Sequence, residues 1–266
     1  MTSPKLKFIF FVLIICSPIL GNASNFKAPE TRDSLINIVN DQTKHDTVVA
    51  SNCFYLGHWY LYEQPDSAEY YAAIGLSRSE SANHIAGMVT GYGFFCYLNR
   101  IKGNLHIAID YNQKSLILLE KNKIKTGKQY TTILSNHGNL HSDAKNYELA
   151  LYYIKKALKI NEENNETTGI AVCYNDIGFN YMLINRLDES ISAYKKAIDI
   201  RKEYDYERKL PFSYTGIGEA YFRKGLIDSA VFYFNEAHEL SSELQLQQGL
   251  SISKNKLGNI YFEQGK

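Results

Sequence analysis

The chain has 266 residues, of which 45% are hydrophobic and 21% charged, enough to bury a large core as one elongated array or as two ordinary domains. Its formal net charge is +1, which leaves no basic footprint for nucleic acid at this level. Four of the five prolines lie before residue 66, so the remainder is almost free of helix breakers and suits an all-helical body.

Lys5 and Lys7 precede a stretch over 8–20 that is apolar apart from Ser17 and broken by Pro18. Gly21, Asn22 and Ala23 then offer a cleavage site before Ser24, and 1–23 reads as a secretory signal peptide. The apolar run falls short of the ~20 residues that span a bilayer; an uncleaved anchor is the competing reading. Losing the leader removes two basic residues and leaves 27 against 28 acidic. The mature part would keep Cys53, Cys96 and Cys173, an odd number that argues against a complete disulfide framework. No Cys-x-x-Cys pair supports a zinc site.

Residues 24–45 read as a lead-in and an N-terminal capping helix, the latter over 31–40 with Leu35, Ile36 and Val39 in phase. Two divergent helical repeats follow over 46–128. The first has a helix over 46–62, a short break at Pro65, and a second helix that opens on Pro65 and Asp66 and carries Ala68. The second has helices over 82–101 and 105–121, joined at Lys102-Gly103-Asn104, with Ala108 and Ser115 as its small residues. Three regular repeats are predicted over 129–168, 169–208 and 209–248, and the first half of a further one over 249–266.

The regular repeats share a period of 40. Gly138, Gly178, Gly218 and Gly258 recur in phase, as do His141, Tyr181, Tyr221 and Tyr261. The following helix carries Ala150, Ser190 and Ala230, then Ile154, Tyr194 and Phe234, then Ala157, Ala197 and Ala237. A glycine inside an apolar-periodic helix costs about 1 kcal/mol against alanine, and close approach of a second helix is the usual compensation. Each repeat thus predicts a hairpin in which a glycine notch receives small residues and a ring. Asn185, Gly225 and Gly265 share the position where a left-handed residue would end the first helix; Lys145, followed by Asn146, is the exception.

A period in this range marks a solenoid. These small and aromatic positions resemble those of the tetratricopeptide repeat family, whose usual repeat of 34 residues is six shorter. The resemblance implies a right-handed α-solenoid of about five complete helical hairpins and one partial one. Carried over by register, the family's concave face falls on Tyr97 and Arg100, then Asn139, then Asn175, Phe179 and Met182, then Glu219, Phe222 and Arg223. Phe179, Met182 and Phe222 alternatively pack between repeats. A subset of the family grips a carboxylate terminus with a basic clamp. Here the matching positions Ser135, Asn139, Asn175, Phe212 and Gly216 lack it.

His137 and His141 stand at i and i+4, a spacing that metal sites use, but Gly138 stands where a zinc protease needs its general base. Both histidines fall on core-facing positions and read as structural. Asp176 and Asp188 read as solvated helix surface. There is no Gly-rich phosphate loop and no nucleophile elbow. The residues point to a non-catalytic, cofactor-free scaffold that binds a protein or peptide partner and no nucleic acid. Behind a signal peptide, such an array resembles the extracytoplasmic sensor part of bacterial signalling proteins, tethered to a membrane downstream. A free periplasmic assembly or adaptor protein is the alternative, with a metal-dependent hydrolase on His137 and His141 more remote. Leu257, Ile260 and Tyr261 lack a second helix within the sequence, which suggests a longer chain or self-association at that half-repeat.

Overall fold

The computed structural model describes residues 31–263, and the expected signal peptide lies outside them. The described residues form twelve α-helices. They divide into two compact units, one ending at Leu140 and the other beginning at His141.

The first unit opens with α1 (Arg32–Asn40), whose N-cap Thr31 accepts a hydrogen bond from the Ser34 amide. Helices α2 (Asp46–Tyr60) and α3 (Pro65–Ser81) pack as a hairpin, and α4 (Ile85–Ile101) and α5 (Leu105–Lys121) as a second. Helix α6 (Gly127–Asp143) follows, within the first unit as far as Leu140. The expected helix over 46–62 ends two residues early, at a tight turn in which the Tyr60 carbonyl accepts from the Glu63 and Gln64 amides and the chain reaches Pro65 at the start of α3. The helix expected from residue 82 starts at Ile85 because Asn83 is left-handed, with φ +48°.

The second unit contains α7 (Tyr147–Glu163), the hairpin α8 (Thr167–Leu183) with α9 (Leu187–Glu203), and the hairpin α10 (Leu210–Arg223) with α11 (Ile227–Glu243). It ends with α12 (Gln247–Glu263), packed on α11. Successive first helices also touch, α8 against α10 and α10 against α12. In each complete hairpin of this unit the notch works as the periodicity predicts. A Cβ on Gly178 would lie 3.0 Å from the Tyr194 ring, and one on Gly218 would lie 2.8 Å from the Phe234 ring. Ser190 adds a hydrogen bond of 2.7 Å to the Gly178 carbonyl. Around Gly258 a Cβ would meet no heavy atom within 4 Å.

The turns are more uniform than their residues suggest. Lys145 is no exception: its φ is +62°, beside +60° for Asn185 and +80° for Gly225. The joints between hairpins use the same device, at Asn83, Lys123, Asn165, Asp205 and Gln245. Around most of these the left-handed residue's own amide and the next one return to carbonyls of the last helical turn, as Asn185 and Arg186 do to Met182 and Tyr181 at 3.1 and 2.8 Å. That pair of bonds satisfies the orphan carbonyls of a helix end and outweighs the ~1–2 kcal/mol that a side chain costs in the left-handed region.

A second glycine series escaped the sequence reading. Gly87, Gly169 and Gly249 lie one turn into α4, α8 and α12, where a Cβ would come within 2.3 Å of Ser79, 2.6 Å of Asn161 and 2.2 Å of Ser241. They let each first helix press on the end of the preceding one. At the same register the chain before α10 has Lys209, whose carbonyl accepts a hydrogen bond from Arg201 Nη1 at 3.0 Å. The helix cannot close there. A 3-10 turn, Glu207–Lys209, replaces its first turn, and α10 begins at Leu210 with Pro211 at its second position.

Candidate functional site

In the first unit, α4 carries Tyr97 and Arg100, the former half-buried and the latter exposed. Both border a cavity of about 180 Å³ whose wall also includes His58 from α2, Asn112 from α5, and Gln129, Thr132 and Asn136 from α6. The Tyr97 hydroxyl lies 2.7 Å from that of Tyr62. Burial lowers the pKa of His58, whose Nδ1 meets the Phe54 carbonyl at 2.7 Å. Asn139, on the same helix as Asn136, is half-buried and does not border the cavity.

The histidine pair is accounted for by packing. His137 is buried, with Nδ1 at 3.0 Å from Asn112 Oδ1. His141 is buried and stacked on Tyr153 at 5.8 Å between centroids, and burial lowers its pKa. Among the described residues no group of three or more histidine, cysteine or acidic side chains is placed to hold a metal. Cys53 and Cys96 are buried thiols, pushed up by burial to about 12 and about 11, far from a reactive thiolate. Cys96 packs with Ala108 and Leu140 as a small apolar residue.

In the second unit the expected positions lie on α8 and α10. Asn175 is half-buried on α8, and its Oδ1 accepts hydrogen bonds from Ser213 Oγ at 2.9 Å and Arg201 Nη1 at 3.3 Å. One turn on, the Phe179 ring is 41% exposed. Met182 departs from the expectation. Only 5% of it is exposed, and it packs in a core cluster with Ile191, Tyr194 and Ile217. Its position in the helix turns it into the hairpin core, so it offers no surface to a partner.

On α10, Glu219 bridges two cations, Arg223 in its own helix at 3.2 Å and Lys256 of α12 at 2.7 Å. Burial alone would raise the Glu219 carboxyl, but hydrogen bonds and charge from Lys256 and Arg223 outweigh it and hold the group below its usual range. Phe222 is partly buried against Phe234 and Ile260. Glu219 and Phe222 border a cavity of about 230 Å³ with Lys256 and Asn259.

Sequence reasoning missed Arg201, which reaches Asn175 from a second helix, and Lys256, which completes the Glu219 cluster. Lys256 was findable as the counterpart of Gly216 one period earlier. Arg201 had no such signal, since its counterparts are Asn161 and Ser241. The missing clamp position at Gly216 has a physical cause. A Cβ there would lie 2.5 Å from Tyr194 Cε1 and Cζ, so no side chain fits while that tyrosine stands.

Residues 129–203, and again 169–243, match the family model described as tetratricopeptide repeat. Among the curated proteins no relative matches the chain. Solved structures share its fold at low identity. BtubC from P. vanneervenii superposes with a TM-score of 0.69 at 14% identity, over 92% of this chain and 94% of that one. A signal transduction ATPase with a tetratricopeptide repeat sensor from Pyrococcus horikoshii gives 0.70 at 15%, over 88% of this chain and 36% of that one. A Rap protein complexed with competence and sporulation factor gives 0.70 at 14%, over 98% and 76%.

Proposed function

We propose that this chain, whose residues 129–243 match the tetratricopeptide repeat model, is a non-catalytic scaffold that binds a protein or peptide on the face formed by its first helices. The observation that carries the reading is the row Asn175, Phe179, Glu219 and Arg223. Neighbouring first helices present an anchored amide, an exposed ring and an ion-paired cluster side by side. A mixed polar and aromatic strip of this kind suits an extended peptide or a helix. The Rap protein bound to competence and sporulation factor, and the sensor repeats of the ATPase, are similar folds found with a bound factor or in a sensing role.

Replacing Asn175 and Arg223 together with alanine removes two polar contacts worth about 0.5–1.5 kcal/mol each. The variant should bind its partner roughly tenfold or more weakly while keeping wild-type helicity. Unchanged affinity would remove these residues from the binding face.

We place the scaffold outside the cytoplasm as the sensory part of a larger signalling protein, on the strength of the Lys5, Lys7 and 8–20 leader pattern. No helix among the described residues is long and apolar enough to cross a membrane. Intact mass of the native protein from fractionated cells separates the readings. A large species in the membrane fraction supports the receptor. A species starting at Ser24 in the soluble periplasm supports the free adaptor, and cytoplasmic recovery with Met1 retained contradicts both.

A further inference from the structure

The cavity of the first unit is bounded by α2, α4, α5 and α6 and holds about 180 Å³. Register accounts for part of that room. Counted from the small notch residue of each helix, Gly93 of α4 takes the place of Ser135 in α6 and of Asn175 in α8, so α4 sends no side chain into its part of the wall. Val89, Phe94, Ile133 and Leu140 line the cavity with buried apolar groups. A cavity of about 150 Å³ lined in this way takes up benzene, so this one has room for a substituted six-membered ring.

The polar groups of the wall narrow the choice. His58 Nδ1 meets the Phe54 carbonyl at 2.7 Å, and a carbonyl only accepts, so Nδ1 carries the ring proton. Burial lowers the pKa of this histidine, which keeps it neutral at neutral pH and leaves Nε2 as a lone-pair acceptor. Its ring stands edge-on to Phe94 at 5.0 Å between centroids, which holds it in place. Among the described residues no acid borders the cavity, and the exposed Arg100 does, so a cationic guest is disfavoured. An apolar slot with a neutral acceptor in its wall suits an aromatic ring that carries a hydroxyl donor. Gln129, Thr132 and Asn136 also border the cavity. They are half-buried and stand at i, i+3 and i+7, on one face of α6. Side-chain amides pair with both the C=O and the N–H of a peptide unit, so this strip suits the main chain of an extended segment.

We propose that the cavity takes a tyrosine side chain of the bound partner, its ring against Phe94 and Ile133, its hydroxyl donating to His58 Nε2, and its main chain along Gln129, Thr132 and Asn136. This rests on the reading that first helices face the partner, applied to α4 and α6 of the first unit.

The test needs no partner. The whole protein, methyl-labelled for NMR, is titrated with acetyl-tyrosine methylamide, acetyl-phenylalanine methylamide and 4-methylphenol. Ring-current shifts of the Val89 and Ile133 methyl groups report a ring in the cavity. The tyrosine probe should give saturable shifts and bind roughly three- to tenfold more tightly than the phenylalanine probe, the difference of one buried hydrogen bond. It should also outbind 4-methylphenol, which has no main chain. His58→Phe keeps an aromatic ring in the wall and should bring the tyrosine and phenylalanine probes to equal affinity. Gln129→Ala combined with Asn136→Ala should weaken the tyrosine probe severalfold and leave 4-methylphenol unchanged. Absent shifts at Val89 and Ile133, or equal affinity of the wild-type protein for the tyrosine and phenylalanine probes, overturn the site whether or not the variants fold. Equal affinity for 4-methylphenol and the tyrosine probe would overturn the partner side chain as the occupant and assign the cavity to a free phenol. Failure of the probes leaves the row of Asn175 and Arg223 standing, whereas failure of that double variant with a normal probe response would sink only the row.

Discussion

Replacing Tyr194 with alanine should cost about 3–5 kcal/mol, the range for deleting a buried aromatic ring. The ring is 2% exposed and held from both sides by backbone. Gly178 of its own hairpin would place a Cβ at 3.0 Å from Cγ and Cδ2, and Gly216 of the next first helix one at 2.5 Å from Cε1 and Cζ. Burial also pushes the phenol well above its usual pKa. The two glycines and the ring therefore form one contact joining α8, α9 and α10. Leucine at either glycine should overpack it by roughly 1–3 kcal/mol or more. A Tyr194→Ile background shortens the side chain and should make Gly216→Ala nearly neutral, a coupling visible in a double-mutant cycle. Chemical denaturation read by circular dichroism gives the four stabilities. Additive costs would mean that Gly216 and Tyr194 do not share the contact.

Gly249→Lys should reproduce on α12 what Lys209 does on α10. A Cβ at 249 would meet Ser241 Oγ at 2.2 Å, and Ser241 is buried and cannot swing away into solvent. The first turn of α12 should give way, at a cost of about 1–3 kcal/mol for the overpacked joint. Hydrogen exchange checks this locally. Amides in the 249–253 stretch should lose protection while those of α11 keep theirs. Retained protection at 249–253 would show that the joint tolerates a side chain and that the late start of α10 has another cause.

These two contacts explain how much of the fold was legible. The notch of Gly178 and Gly218 was readable because it obeys a strict period and faces a ring in the same hairpin. The joint series of Gly87, Gly169 and Gly249 recurs too, but α10 interrupts it and its partners lie in the preceding hairpin. The left-handed turn at Lys145 was hidden because the Schellman hydrogen bonds, not residue type, set that conformation. The proposed binding face shows the same division. Asn175, Phe179, Glu219 and Arg223 follow from register, since a helix face repeats with the helix. Met182 shares that register and still turns inward to Tyr194 and Ile217. Arg201 and Lys256 act across helices, and such pairings carry no mark in a single repeat.

The central claim, that the first helices carry the partner, is tested most directly by photo-crosslinking in cells. A photoreactive phenylalanine analogue replaces Phe179, on a first helix and 41% exposed, and separately Phe232, on a second helix and 56% exposed. The account predicts a discrete adduct from position 179 and none of the same mass from 232. An adduct from 232 alone would place the partner on the second helices and contradict it.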